Sequence, residues 1–131
     1  MVIKYATKED IAAIAAVEAE CFPPAEAATE KEFVDRVKYY GNHFWLMYEA
    51  EKLIAFVDGF VTDEPDLTDE MYEKATLHDE NGAWQMIFGV NTINLIKYKR
   101  MQNRHVKITV RLRLIRQVLF HHRSVIQAQS I

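Results

Sequence analysis

The residue types that could carry chemistry in this 131-residue chain include one cysteine and five histidines. Cys21 would need a nearby base to act as a nucleophile, and no His/Asp arrangement flanks it, so we expect it to pack at a helix end. His105, His121 and His122 could suggest a metal site. Adjacent histidines point to different sides of a regular element, however, and no carboxylate or cysteine joins them. The sequence therefore predicts no metal site.

A dense group of acids follows the second apolar run of the chain: Asp63, Glu64, Asp66, Asp69 and Glu70. Such a patch could attract a cationic amine. A solvated loop is the simpler interpretation, and the pattern leaves both open. We interpret His43, which precedes an apolar run, as structural, and we expect His78 to be exposed in the acidic insert.

Charge is divided sharply along the chain. Residues 1–91 contain 19 acidic and 7 basic residues, a net charge of −12, whereas residues 92–131 contain 9 basic residues and no acid, a net charge of +9. The second segment also lacks Gly, Pro and Asp, which usually form turns and helix N-caps. The composition predicts a boundary near Thr92, with 1–92 as one unit and 93–131 as a basic, divergent tail.

The composition also excludes several classes of protein. No apolar run approaches the roughly 18 residues that a membrane helix needs, and the first residues contain no charged leader followed by an apolar stretch. A single cysteine cannot form an internal disulfide and fits a reducing compartment. We expect a cytoplasmic chain of at most one domain, with no membrane partner.

Periodicity predicts the order β-α-α-β-β-(short α)-β for residues 1–92. The strands are expected near 2–6, 43–48, 53–62 and 83–91, with an antiparallel hairpin between the second and third. Capping signals at Thr7 and Thr29 predict helices that end near Cys21 and Gly41. Gly59 is a candidate for a β-bulge. The strand at 83–91 is apolar at nearly every position, which predicts a central place in the sheet.

The pattern of the tail is ambiguous. Five apolar residues could lie along one face of a basic amphipathic helix: Leu112, Leu114, Ile115, Val118 and Leu119. Residues 107–112 alternate like a strand instead. Flanking turn residues that would decide between the two are absent.

A string of segments resembles the GNAT superfamily of acetyl-CoA-dependent N-acetyltransferases: Ile3 to Asp10, Glu20 to Pro24, Phe44 to Leu46, and Lys52 to Gly59. The segments 63–68 and 82–91 are similar to a narrower group, the arylalkylamine (serotonin-type) N-acetyltransferases and their bacterial relatives. The resemblance covers residues 2–92, about 70% of the chain. It implies an α+β fold of GNAT type, a mixed sheet with flanking helices, in which the C-terminal half is truncated or divergent.

The resemblance also implies an activity, the transfer of acetyl from acetyl-CoA to a primary arylalkylamine by direct attack. Phe88, Gly89 and Val90 would bind the cosubstrate through main-chain groups that the splayed strand leaves free, and one amide would stabilise the oxyanion. Phe22 and Pro23 would contact the apolar part of the amine. A catalytic side chain is not identified, and a water chain toward the acids is the expected route for the proton.

The residues after Thr92 depart from the family pattern. The glycine loop of the form Arg/Gln-x-x-Gly-x-Gly/Ala, which in the family holds the pyrophosphate at a helix N-terminus, is absent. The two histidines of the serotonin-type enzymes fall at Trp84 and Met86. The tyrosine that commonly protonates the thiolate would lie in the unmatched part, and we expect no counterpart there of the later strands and helix.

Three explanations of the tail are open: natural divergence, a nucleic-acid-binding arm, and out-of-frame translation after Thr92. We favour the third, because composition and motifs change at one point, and we expect basic surface rather than nucleic-acid binding. The alternative function is a catalytically inactive remnant that serves as a binding or oligomerising module. An apolar edge left at 83–91 would then favour a homodimer.

Overall fold

The structure, a computed structural model, describes residues 2–93, 104–121 and 125–127. These residues form seven strands: β1 (Val2–Tyr5), β2 (Phe44–Glu49), β3 (Lys52–Asp58), β4 (Val61–Thr62), β5 (Trp84–Ile87), β6 (Gly89–Thr92) and β7 (Val125–Gln127). They also form four α-helices: α1 (Ile11–Cys21), α2 (Glu30–Tyr40), α3 (Asp69–Glu73) and α4 (Arg104–His121). The mixed α+β class is as expected.

The first two helices begin where their capping residues predict. The Thr7 N–H donates to Asp10 Oδ2 at 2.9 Å at the 3-10 turn that leads into α1, and Thr29 Oγ1 accepts from the Glu32 N–H at 3.2 Å at the start of α2. Helix α1 ends before Phe22, whose backbone is extended because a proline follows it. Both helices press a buried face on the sheet through residues such as Ile14 and Phe33.

The main sheet has the order β1-β2-β3-β6, and every neighbouring pair in it is antiparallel. The predicted hairpin is confirmed as β2–β3, closed by Ala50 and Glu51 with φ values of 46° and 67°. Its strands carry a large part of the core, with Phe44 and Phe56 in edge contact with Phe33 of α2. Helices α1 and α2 therefore pack on this sheet.

A second sheet has the order β4-β5-β7, in which β5 and β7 are parallel. We predicted one continuous strand over 53–62 and another over 83–91, and both are wrong, because each is divided between the two sheets. The first divides at Gly59, where a Cβ would lie 1.8 Å from Met86 O. The second divides at Phe88. Between β3 and β6 the chain thus passes from one sheet to the other twice, at Gly59 and at Phe88.

The tail contributes a helix and a strand to this fold. Helix α4 buries Val110, Leu114 and Val118, each with no exposed surface, in the same core as the strands, and it contacts β2, β3 and β6. The helix interpretation of the tail is confirmed, and the strand alternative for 107–112 is wrong. Leu112, which we placed on the apolar face of the helix, is exposed instead. Strand β7, which the sequence did not predict, follows α4 and pairs with β5.

Strand β5 has β7 as its outer neighbour. The apolar edge from which we predicted a homodimer is therefore not exposed at β5, and the homodimer itself stays a prediction. Within the three described ranges, no helix is both long enough and apolar enough to cross a membrane.

Candidate active site

Main-chain groups of Val90 lie where the two sheets part. The Ile93 N–H donates to Ile54 O at 2.9 Å, and hydrogen-bonded and non-hydrogen-bonded pairs alternate along an antiparallel ladder. Val90 lies opposite Val57, three positions before Ile93, and is therefore in a non-hydrogen-bonded pair. Its N–H and C=O consequently point away from β3. In the described part of the chain, β7 pairs with β5 and not with β6. The Val90 groups therefore face the gap between β6 and the second sheet.

Arg111 of α4 reaches into this gap. Its Nη2 donates to Val90 O at 3.1 Å. The Phe88 N–H, in contrast, donates to Asp58 O at 2.8 Å, and Gly89 lies opposite Asp58 in the ladder. Of the three residues predicted to bind the cosubstrate, Val90 has the main-chain groups that face away from β3, whereas the Phe88 amide is used within the fold.

A cavity of about 690 Å³ lies beside this point, between α1, α2, α3 and the strands. Phe22, Phe88 and Gly89 line it, so the structure brings together one residue predicted to contact the amine and two predicted to contact the cosubstrate. Pro23 and Val90 are outside its lining. Tyr72 of α3 adds another aromatic side chain to the lining.

Carboxylates dominate the polar lining of the cavity. Six acids and a single cation are among its described lining residues: Glu18, Glu26, Glu32, Asp58, Asp69, Glu73 and Arg36. Of the acidic patch at 63–70, only Asp69 reaches the cavity. Because like charges converge on one concave surface, the cavity attracts cations.

Asp58 is the most deeply buried of these acids, and its pKa is shifted most clearly. Burial raises the pKa of Asp58 to about 6, although the positive charge of Arg36 acts to lower it. Arg36 Nη1 lies 3.4 Å from Asp58 Oδ2, and Arg36 Nη2 donates to Tyr72 O at 3.1 Å. The guanidinium also lies over the rings of Phe33 and Phe88, 5.2 and 5.9 Å from their centroids. Arg36 therefore joins α2, β3 and α3 at the cavity wall.

Glu18 is a second buried acid, and its role in the structure is different. Its Oε1 accepts from the Ala28 N–H at 3.2 Å, and its Oε2 accepts from the Asn91 side chain. Burial raises the pKa of Glu18, and these hydrogen bonds and the charge of Arg36 oppose the shift only in part. Glu18 thus ties the loop that carries Phe22 to strand β6.

Sequence reasoning missed Glu18, Arg36 and Asp58. A signal was present for each, since a charged residue stood in an apolar pattern. Glu18 lies four residues after Ile14 on the buried face of α1, Arg36 lies three residues after Phe33 on α2, and Asp58 ends the apolar run 53–57. A charge on a buried face needs a partner or a function, and this criterion would have selected all three.

Three side chains form a separate cluster in which ring nitrogens and a carboxylate oxygen lie within 4.8 Å of one another: His43, His78 and Glu80. His78 Nδ1 accepts from the Val61 N–H at 3.0 Å, so the neutral ring carries its proton on Nε2. This Nε2 faces Glu80 Oε2 at 2.7 Å. A protonated nitrogen donates a hydrogen bond and cannot bind a metal, so the geometry favours a hydrogen-bonded cluster.

The same cluster corrects one expectation. We expected His78 to be exposed, but its side chain is only 7% exposed, because the loop before β5 folds back over Tyr40 and Phe60. Burial lowers the pKa of His78 in spite of its contact with Glu80. His43, which is buried against Gln85 with Nδ1 2.7 Å from Gln85 Oε1, has the structural environment we expected.

The fold is that of the GNAT acyltransferases, as comparison with solved structures shows. The chain is similar to the GNAT-like decarboxylase GphF in complex with isobutyryl-CoA (TM-score 0.67, 21% identity, 87% of this chain and 58% of that one). It is similar to the loading GNATL domain of CurA from Lyngbya majuscula (0.64, 16%, 85% and 57%). It is also similar to the aminoglycoside 6'-N-acetyltransferase AAC(6')-IG from Acinetobacter haemolyticus (0.61, 13%, 100% and 81%).

No protein-family profile and no curated protein sequence matches the chain. The chain spans somewhat more than half the length of the GphF and CurA chains, 58% and 57%. These likenesses define the fold class.

Proposed function

We propose that this chain is an N-acetyltransferase that transfers acetyl from acetyl-CoA to a primary amine of the arylalkylamine type. One observation carries the proposal: an acidic cavity opens beside Gly89, next to the strand position where Val90 turns its main-chain groups toward the gap between the sheets. A thioester held along β6 and an amine held in the cavity would meet at this point. Proximity of this kind supplies much of the catalysis of acyl transfer.

The cosubstrate side is supported by the fold and by Val90. The similar structure of GphF contains isobutyryl-CoA, and an extended acyl-CoA arm suits the edge of β6 that has no strand neighbour in the described part of the chain. Between Thr92 and α4 the sequence contains no glycine. The pyrophosphate loop expected from the resemblance is therefore absent, so binding of acetyl-CoA is the first step to measure.

The amine side is supported by the lining of the cavity. Six carboxylates favour a cation, and Phe22, Tyr72 and Phe88 offer flat apolar surfaces for an aromatic group. An arylalkylamine carries both features, an ammonium group and a ring. Pro23, the other residue predicted to contact the amine, lies next to Phe22 but outside the lining.

Calorimetric titration of the purified chain with acetyl-CoA tests the first half of the proposal. Saturable binding at micromolar concentrations supports it, and absence of binding at millimolar concentrations contradicts it. Release of free thiol from acetyl-CoA in the presence of 2-phenylethylamine or tryptamine tests the second half. The neutral analogue 2-phenylethanol is the matched control, and equal thiol release with both compounds would contradict an amine-specific cavity.

The alternative function is a catalytically inactive GNAT remnant that acts as a binding or oligomerising module. The absence of glycine after Thr92 favours it, as does Arg111, because its guanidinium already bonds Val90 O. The same titration separates the two functions. Absence of acetyl-CoA binding in the titration, combined with a dimer in sedimentation equilibrium, would favour the remnant.

A further inference from the structure

One carboxylate in the cavity wall has an oxygen that is not committed to the fold. Asp58 ends β3 opposite Gly89 of β6, where the sheets part. Its side chain is 4% exposed and lines the cavity. Among the described residues, its only hydrogen-bond donor is Arg36, which approaches Oδ2. Oδ1 is therefore the atom that can meet a ligand.

The other acids of the cavity are less suited to proton transfer. Both oxygens of Glu18 already accept hydrogen bonds, from Ala28 and Asn91. The remaining four are exposed, so burial does not fix the orientation of their carboxylates: Glu26, Glu32, Asp69 and Glu73. Asp58 alone combines burial, a fixed orientation and a free oxygen.

We infer that Asp58 is the general base of the acetyl transfer proposed above, and that Arg36 is a positioning residue that holds its carboxylate through Oδ2. The inference rests on the proposed function. It goes further by naming the group that activates the amine, which the sequence did not identify.

Asp58 Oδ1 takes one proton from the ammonium group, and the neutral amine nitrogen then attacks the thioester carbonyl carbon to form the C–N bond. Collapse of the tetrahedral intermediate breaks the C–S bond. The second nitrogen proton leaves with the thiolate, through water, and Asp58 returns its proton to solvent. The products are the amide, CoA thiol and one proton.

The charges around Asp58 suit this role. Arg36 on α2 and Glu18 on α1 act on it in opposite directions, and the hydroxyls of Tyr40 on α2 and Tyr72 on α3 lie within reach of its charge. With a pKa of about 6, the carboxylate is ionised at pH 7 and is a better proton acceptor than an exposed aspartate.

The test is the pH dependence of kcat/KM for 2-phenylethylamine with saturating acetyl-CoA. The wild-type protein should lose activity as the pH falls through about 6, because Asp58 becomes protonated. Asp58→Asn should lower kcat by about 10²- to 10⁴-fold and remove this acid limb. Asp66→Asn is the matched control, since Asp66 is exposed and lies outside the cavity lining; it should keep both the rate and the limb.

The double variant Arg36→Met/Asp58→Asn separates chemistry from folding, because it removes both buried charges together. If Asp58 is the base, this variant folds but stays inactive. Recovery of wild-type activity, or an acid limb retained in either variant, would reduce Asp58 to a counter-ion and overturn the inference. A wild-type profile that is flat between pH 5 and 8 would overturn it without any variant. Absence of transfer by the wild type would instead remove the proposed function, and the inference with it.

Discussion

Docking of α4 on the sheet is open to a direct test with two leucines of the same helix. Leu114 has no exposed surface, whereas Leu112, two residues earlier, is 60% exposed. Truncation of a fully buried leucine to alanine costs about 2–5 kcal/mol, the sum of lost transfer free energy and the cavity left behind. An exposed leucine in a helix should cost less than about 0.5 kcal/mol. The two variants are chemically identical, so the difference between them isolates packing.

Urea denaturation followed by circular dichroism measures this difference as a change in the free energy of unfolding. A thermal melt gives a second measurement. At roughly 4 °C per kcal/mol for a chain of this size, Leu114→Ala should lower the melting temperature by about 8–20 °C. Leu112→Ala should leave it almost unchanged. Equal and small effects of the two variants would show that the tail does not share the core, and would refute the packing on which the position of Arg111 depends.

Two further predictions concern the points where the chain reverses or changes sheet. Gly59→Ala should lower the free energy of unfolding by several kcal/mol, because its Cβ would lie 1.8 Å from Met86 O. Gly89→Ala should cost much less, because among the described residues its Cβ would meet the Asn91 side chain alone, at 3.1 Å. Chemical denaturation measures both, and similar values would contradict the close approach at Gly59. Ala50→Asn/Glu51→Gly should raise the free energy of unfolding by about 1 kcal/mol, because both hairpin residues have positive φ; a thermal melt checks this, and a loss of stability would contradict the turn geometry.

The sequence predicted elements that carry a local signal and missed those decided by distant contacts. Thr7 and Thr29 predict the starts of α1 and α2, because a capping side chain acts on the turn that follows it. Gly59 predicted an irregularity in the strand but not a change of sheet, and no local feature predicted the division at Phe88, because the partner strand decides both.

For the tail, helix and strand patterns overlapped, and burial of Val110, Leu114 and Val118 at four-residue spacing favours the helix. The out-of-frame origin of this segment stays a prediction. The coding DNA tests it, because a one-base shift after codon 92 should restore an Arg/Gln-x-x-Gly-x-Gly loop.

The candidate site could be predicted only in part, for the same reason. The resemblance selected Phe22, Phe88 and Gly89, which line one cavity. It did not select Arg36 or Asp58, because the two are 22 positions apart and neither has a motif of its own. Their relation arises when α2 crosses β3, which is a property of packing rather than of local sequence.

The Arg36–Asp58 pair is better explained by chemistry in the cavity than by stability. The rise of the Asp58 pKa from 3.8 to about 6 corresponds to about 3 kcal/mol, at 1.4 kcal/mol per unit. The sign is unfavourable: between these values the unfolded chain ionises first, so stability falls as the pH rises and the deficit persists above pH 6. Buried ion pairs can often be replaced by apolar residues of similar volume without loss of stability. The fold thus carries a charge that costs free energy, beside the gap that the Val90 main chain faces, and the proton transfer proposed for Asp58 would account for that cost.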